Sequence, residues 1–255
     1  MMKAIAVILL GIAGMAQAGR AEPPLRLDGH ITPAVAARMH AALAHGARIL
    51  HVTSTGGDQL ASLALARDIH EAHASLVVDG LCGGPCANYL FPAAARRSVS
   101  PGGLVIFSGT ATAALAMVPP DKKAQLGGGY ASAAAEERAL FAQAGVDPAL
   151  LLETQLQLHP RCYSLTSKDA AGKSYINYRA DFIGWVPSRG YLARAGLRIE
   201  GFWPANPAQF QTAFQSAFGG SARGNIASFG PAAPGKPASL LTALKSVRAC
   251  DASGR

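Results

Sequence analysis

The chain has 255 residues, half of them hydrophobic, with a formal net charge of +8. That length accommodates one large or two small domains, and because apolar patterning runs unbroken from Leu25 to about Leu156, one domain is expected. The basic residues are scattered, with no basic run interleaved with aromatics. Nucleic-acid recognition is therefore not expected, and adhesion to anionic surfaces has little support.

The N-terminus has a single lysine, an uncharged apolar run from Ala4 to Met15 and the small-x-small triplet Ala16-Gln17-Ala18. This is the layout of a secretory signal, and cleavage after Ala18 is expected. Retention as an anchor is the alternative, but the run is shorter than the ~20 residues of a spanning helix. The mature protein is expected to be periplasmic or secreted, without stable membrane insertion. Loss of Lys3 lowers its charge from +8 to +7.

In chain order, "LRLDGHI" reads as a short strand and turn. "TPAVAARMHAALAHG" reads as a helix with Thr32 as N-cap, Pro33 at the first helical position and Gly46 as stop. "ARILHVTS" is a strand broken by "TSTGGD". "QLASLALARDIHEAH" is a helix apolar over most of its circumference, expected to pack between layers. "ASLVVDG" is a buried strand ended by Gly80, and "CANYLFPAAA" a short helix that Pro92 closes or kinks. "RRSVS" and "LVIFSG" are strands around the Pro101-Gly102-Gly103 turn. From Thr110 to Tyr130 the small, Gly-rich composition predicts a mobile stretch. "ASAAAEERALFAQAG" and "DPALLLETQLQ" give two helices separated by Gly145, with Asp147 capping the second. "YINYRADFIGWVP" and "LRIEGFWPA" are short strands or loops, residues 219–237 a Gly/Pro-rich linker, and "ASLLTALKSVRAC" a terminal helix. Strands alternating with helices over 25–108 predict an α/β fold with a largely parallel sheet covered by helices.

Cys82, Cys86, Cys162 and Cys250 form an even set in an oxidising compartment. Four cysteines allow three pairings; Cys82 with Cys86, and Cys162 with Cys250, is the favoured one. At a helix start, residues four apart have Cα atoms ~6 Å apart, within disulfide range. Four thiols without a C-x-x-C pair fit zinc poorly. His70-Glu71-Ala72-His73 lacks the spacing of a metal helix, and His30, His40, His45, His51 and His159 are assigned no chemistry. "SKDAAGKS" reads as a loop. No metal or cofactor is expected.

Two turns carry the candidate chemistry. "STGGD", between a strand and a helix, lets backbone N–H groups face an anion at a helix N-terminus, but without "GK[ST]" it is no phosphate loop. "VDGLCGGPCANYLF" has the form of a nucleophile elbow containing no Ser, Thr or Asp at the turn itself.

Taken together, strand, "TSTGGD", apolar helix, "VVDG", the Cys-rich elbow, "ANYLFPAA" and "PGGLVIFSG" resemble the Clp-protease and crotonase superfamily, in particular its secreted ClpP-like branch. The resemblance spans residues 25–108 and continues loosely to about 205. It implies a ClpP/crotonase-like domain over 19–205 following a signal at 1–18, with 206–255 as a C-terminal extension. It also implies repeated strand-helix units and the possibility of a homo-oligomer, ring or trimer.

By this resemblance Gly57, in the Gly56-Gly57 turn, offers one oxyanion donor. The elbow resembles Cys-x-Ser-x-Cys with Gly84 where the serine nucleophile would stand. Ser108 stands where the general-base histidine would be. Pro85, at the second oxyanion donor, has no N–H. Gly56, Gly57, Gly83 and Pro85 would then line a pocket whose backbone shape is kept while the chemistry is gone. The expectation is a non-catalytic protein that binds a peptide or an acyl or carboxylate group, or acts through assembly. One alternative is an active serine hydrolase with a relocated nucleophile such as Ser108, supported by the "DKKAQ" stretch or a distant residue. The other is a thiol-redox protein using Cys82 and Cys86.

Overall fold

The computed structural model describes residues 24–118, 121, 123–156, 161–168, 172–181, 184–219 and 227–230. The expected signal at 1–18, Cys250 and the terminal helix lie outside these residues. Strand β1 (Leu25–Asp28) leads to helix α1 (Pro33–Ala44). Thr32 caps α1 by accepting the Val35 N–H, Pro33 opens it, and Gly46, at φ +107, lies just beyond its end. Strand β2 (Ile49–Ser54) and helix α2 (Gln59–Glu71) repeat the unit, with Asp58 capping α2 through the Ala61 N–H.

Strand β3 (Ser75–Gly83) runs three residues beyond its expected end at Gly80. The register with β2 slips there, Val52 facing Val78 but Ser54 facing Cys82, so Gly80 lies in an irregularity rather than at a strand end. A Cβ on Gly80 would meet Thr53 Cγ2 at 2.9 Å, which accounts for the glycine. β4 (Arg96–Val99) and β5 (Leu104–Ile106) do not pair with each other. Both pair parallel with β3, β4 along Ser75–Val78 and β5 along Leu81–Gly83.

Between β3 and β4 a π-helical turn (Cys86–Leu90) runs into the short helix α3 (Phe91–Ala93). The Phe91 N–H reaches back to the Cys86 carbonyl, and Pro92 sits inside α3, whose last residue is Ala93. Buried Arg97 donates to the carbonyls of Phe91 and Pro92, placing a cation at the end of this helix.

The stretch Thr110–Tyr130 is largely helical, contrary to its Gly-rich composition. Thr110 caps α4 (Ala111–Met117), and α5 (Lys123–Ala144) begins well before the expected "ASAAAEERALFAQAG". α6 (Leu150–Leu156) follows Gly145, and Asp147 accepts the Ala149 N–H at its start. Next comes an antiparallel hairpin of β6 (Arg161–Lys168) and β7 (Ser174–Asp181), in which Cys162 faces Ala180. β8 (Gly184–Pro187), α7 (Arg189–Arg194), β9 (Glu200–Gly201) and α8 (Pro207–Phe218) complete the body. The segment expected as a linker contains β10 (Ala227–Gly230), which pairs parallel with β8. Phe210 and Phe214 of α8 are buried in the common core, so α8 packs onto the same body.

The fold is thus α/β, with an all-parallel sheet in the order β1-β2-β3-β4-β9 and β5 on the upper part of β3. One face, including Leu27, Leu50, Val52, Leu76, Val78 and Val99, is buried. Each such side chain contributes about 1.5–3 kcal/mol on leaving water. The other face presents Arg26, Ile49, His51, Thr53, Asp79 and Arg96, all exposed or half-exposed. Helix α2 packs against α1, the π-turn and α5. Its outer edge, with Leu60 60% exposed, reaches the surface instead of lying between layers. Among the described residues no helix is long and apolar enough to cross a membrane.

Candidate functional site

In a parallel sheet the chain leaves every strand at the same end, and ligands collect there. Three exits meet at one place in this sheet: the Gly56-Gly57 turn after β2, the elbow after β3, and Phe107-Ser108-Gly109 after β5. Their closeness explains the glycines. A Cβ on Gly56 would lie 2.5 Å from Pro85 Cδ and 2.8 Å from the Gly83 carbonyl oxygen. On Gly57 it would lie 2.3 Å from the Ile31 carbonyl oxygen, since the segment that follows β1 bridges to Gly57 there.

The elbow is clamped by a disulfide between Cys82, the last but one residue of β3, and Cys86, the first of the π-turn. Their Cα atoms are 5.3 Å apart, and both residues are fully buried. Gly84 has φ +52, the left-handed conformation that a sharp strand-to-helix turn imposes. A Cβ built on Gly84 would lie 3.4 Å from Ser108 Oγ and 3.5 Å from the Thr55 carbonyl oxygen. Residues 84 and 108 are therefore neighbours, as are the two turns.

The donors at the elbow are already used or missing. Gly84 N–H donates to the Ile106 carbonyl at 3.1 Å, and Pro85 has no N–H. Gly57 is exposed, and its N–H has no acceptor among the described residues. The N-terminal field of α2 next to it is occupied by the chain's own Asp58 carboxylate. That carboxylate weakens the helix N-terminus as an anion site. Ser108 is held by its backbone: Asn88 accepts its N–H at 3.2 Å and donates to the carbonyls of Ser108 and Gly109.

Two groups at this site are absent from the candidates read off the sequence. His30 Nδ1 lies 3.3 Å from Thr55 Oγ1, with both residues exposed at the rim. They are 25 residues apart and meet only because β1 and β2 are neighbours in register. The second group is Glu137 of α5, which is fully buried. Its Oε1 accepts from Tyr89 Oη at 2.5 Å, Gln59 Nε2 at 3.1 Å and Ala111 N at 2.7 Å. Its Oε2 accepts from the Thr112 N–H at 2.7 Å and the Thr112 hydroxyl at 2.6 Å.

These donors sit just downstream of the Gly57 turn, the elbow and Ser108. One carboxylate therefore ties together the three segments that form the site. Burial, and then the Glu137 charge, push the Tyr89 phenol far above its ordinary range. The trace in the sequence is a Glu on the apolar face of an Ala-rich helix, in step with Ala133, Ala134, Leu140 and Phe141, all buried.

The other candidate residues lie apart from the site. Cys162 stands in the hairpin, and its expected partner Cys250 is outside the described residues. Lys122 of the "DKKAQ" stretch is also outside them. His70 and His73 have ring centroids 6.4 Å apart, and no group of three metal-ligating side chains occurs among the described residues. No protein-family model matches the chain, and none of the curated proteins matches its sequence.

Proposed function

We propose that the chain is a secreted or periplasmic protein of the ClpP/crotonase type that has lost serine-hydrolase chemistry. It acts by binding a peptide, acyl or carboxylate group at the elbow, or through assembly with its own copies. The observation that carries this reading is the juxtaposition of Gly84 and Ser108. A serine at 84 would project toward residue 108 across 3.4 Å, where the resemblance calls for a nucleophile facing a histidine. This chain has neither a hydroxyl at 84 nor an imidazole at 108. Of the two oxyanion donors that the resemblance calls for, Pro85 removes the second, and the neighbouring Gly84 N–H is spent on Ile106. Loss of one such donor alone costs ~10² to 10³ in rate, and loss of the nucleophile leaves only residual catalysis. The clamped backbone and the exposed Gly57 N–H remain available to hold a ligand.

One observation favours a second reading, a hydrolase with a relocated nucleophile. Thr55 and His30 pair a hydroxyl with an imidazole at the rim of the same site. Ser108 Oγ has no such partner among the described residues. A redox role is less favoured, because both sulfurs of the Cys82–Cys86 bridge are buried from an attacking thiol.

The test is turnover of ester and peptide substrates by the full chain, Ser108→Ala and Thr55→Val. The non-catalytic reading expects all three to match buffer. A wild-type rate that falls in either variant would overturn it and identify the nucleophile.

A further inference from the structure

A second polar constellation lies away from the elbow, on the open face of the sheet. Asp79 of β3 gathers three partners from separate elements: His51 Nδ1 of β2 at 2.8 Å, the Ser100 hydroxyl at 2.9 Å and, more loosely, Arg26 of β1 at 3.6 Å. His51 and Asp79 side chains are 24% and 28% exposed, so the pair is half-buried yet reachable. With Nδ1 turned to the carboxylate, Nε2 is the polar atom the ring has left, and it has no partner among the described residues.

His51 also lines a cavity of about 270 Å³ at the edge where β1 and β2 begin, opposite the exits that form the elbow site. Its walls include Pro24, Leu25, Ala47 and Ile49, and Arg48 stands beside His51. Arg48 Nη1 donates to the carbonyls of Leu43 and Ala47, which ties the guanidinium to the end of α1.

We infer that this cavity is a binding site for a small organic anion, a carboxylate carrying a short aliphatic chain. Arg26 and Arg48 against Asp79 leave a surplus of positive charge around the imidazole. A protonated His51 donates Nδ1–H to Asp79 and Nε2–H to the ligand carboxylate, while the apolar wall takes the chain. The volume lies just below the ~300–1,000 Å³ of sites for larger ligands, which sets the size class.

Neutral His51 would keep its proton on Nδ1 and present a lone pair at Nε2, repelling the anion. The charged groups around it are Asp79 and Arg26 on the open face and Arg48 in the cavity wall. The site is independent of the elbow reading.

The test uses hexanoate as probe with the full chain, by calorimetry and by the side-chain nitrogen NMR signals of His51. At about pH 5.5 saturable millimolar binding is expected, at least tenfold weaker at about pH 8.5, either side of the ordinary imidazole range. 1-Hexanol should not bind, and Ser108→Ala should bind hexanoate as the unaltered protein does. His51→Gln should abolish both the binding and its pH dependence. Absence of saturable binding by the unaltered protein, binding indifferent to pH, or binding retained in His51→Gln would each overturn the inference. The unaltered protein's pH profile decides the matter even if the variant fails to fold.

Discussion

Gly56 and Gly84 show how differently two glycines at one site are constrained. Gly56 combines φ +97 with a Cβ position 2.5 Å from Pro85 Cδ, so a side chain there must displace the elbow. Gly56→Ala is expected to cost roughly 2 kcal/mol or more, seen as a lower urea midpoint at unchanged slope. Gly84 has room: its nearest non-neighbour is Ser108 Oγ at 3.4 Å, and its cost is the left-handed backbone, roughly 1 kcal/mol. Gly84→Ser should therefore fold and still show no hydrolysis, since no imidazole faces it. The glycines and Pro85 were legible as a tight elbow because composition alone marks close backbone approach. His30 and Thr55 were not, because their contact depends on strand register, which no local pattern encodes.

At the scale of elements, the Glu137 carboxylate joins α2, the π-turn, α4 and α5. Glu137→Ala leaves the Tyr89 hydroxyl, the Ala111 N–H and the Thr112 N–H and hydroxyl without their acceptor, while Gln59 keeps Tyr89 Oη, and a loss of roughly 3–5 kcal/mol is expected in denaturant titration. Tyr89→Phe removes only one of them and should cost about 1–2 kcal/mol. Burial raises the Tyr89 phenol in the folded state. Its contribution is therefore fully present below the ordinary phenol range near 10 and is lost as pH rises beyond it. Ultraviolet titration should accordingly show the Tyr89 tyrosinate signal only together with alkaline unfolding. Opening the Cys82–Cys86 bridge, as Cys82→Ser with Cys86→Ser, should cost about 2 kcal/mol for so short a loop. Caps and helix starts at Thr32 and Asp147 followed from sequence because their chemistry is local, whereas the Asp58 cap inside "STGGD" did not. The continuation of β3 past Gly80 and the strand β10 in a Gly/Pro-rich stretch did not, because pairing with β5 and β8 overrides composition there.

Across the whole molecule, the sheet leaves one face polar, and Asp79 links four successive parts of it. Burial pushes its carboxyl up, but hydrogen bonds from His51 and Ser100, with the His51 and Arg26 charges, outweigh this and hold it below the usual value. A carboxyl depressed on folding contributes stability that is present above its unfolded pKa, near 3.9, and is lost as pH falls through the folded value. Asp79→Asn should therefore flatten the acid limb of stability against pH below about 4 while lowering stability at neutral pH.

The α/β class was readable from the alternation of strands and helices. The layering, with helices on one face and an open polar face on the other, emerged only with strand order. The central claim, that the elbow keeps its backbone but not its hydrolytic chemistry, is met most directly by labelling the full chain with a fluorophosphonate probe and mapping any adduct by mass spectrometry. The account predicts no adduct on the unaltered protein, whereas an adduct on Ser108, Thr55 or any other hydroxyl at the site would contradict it.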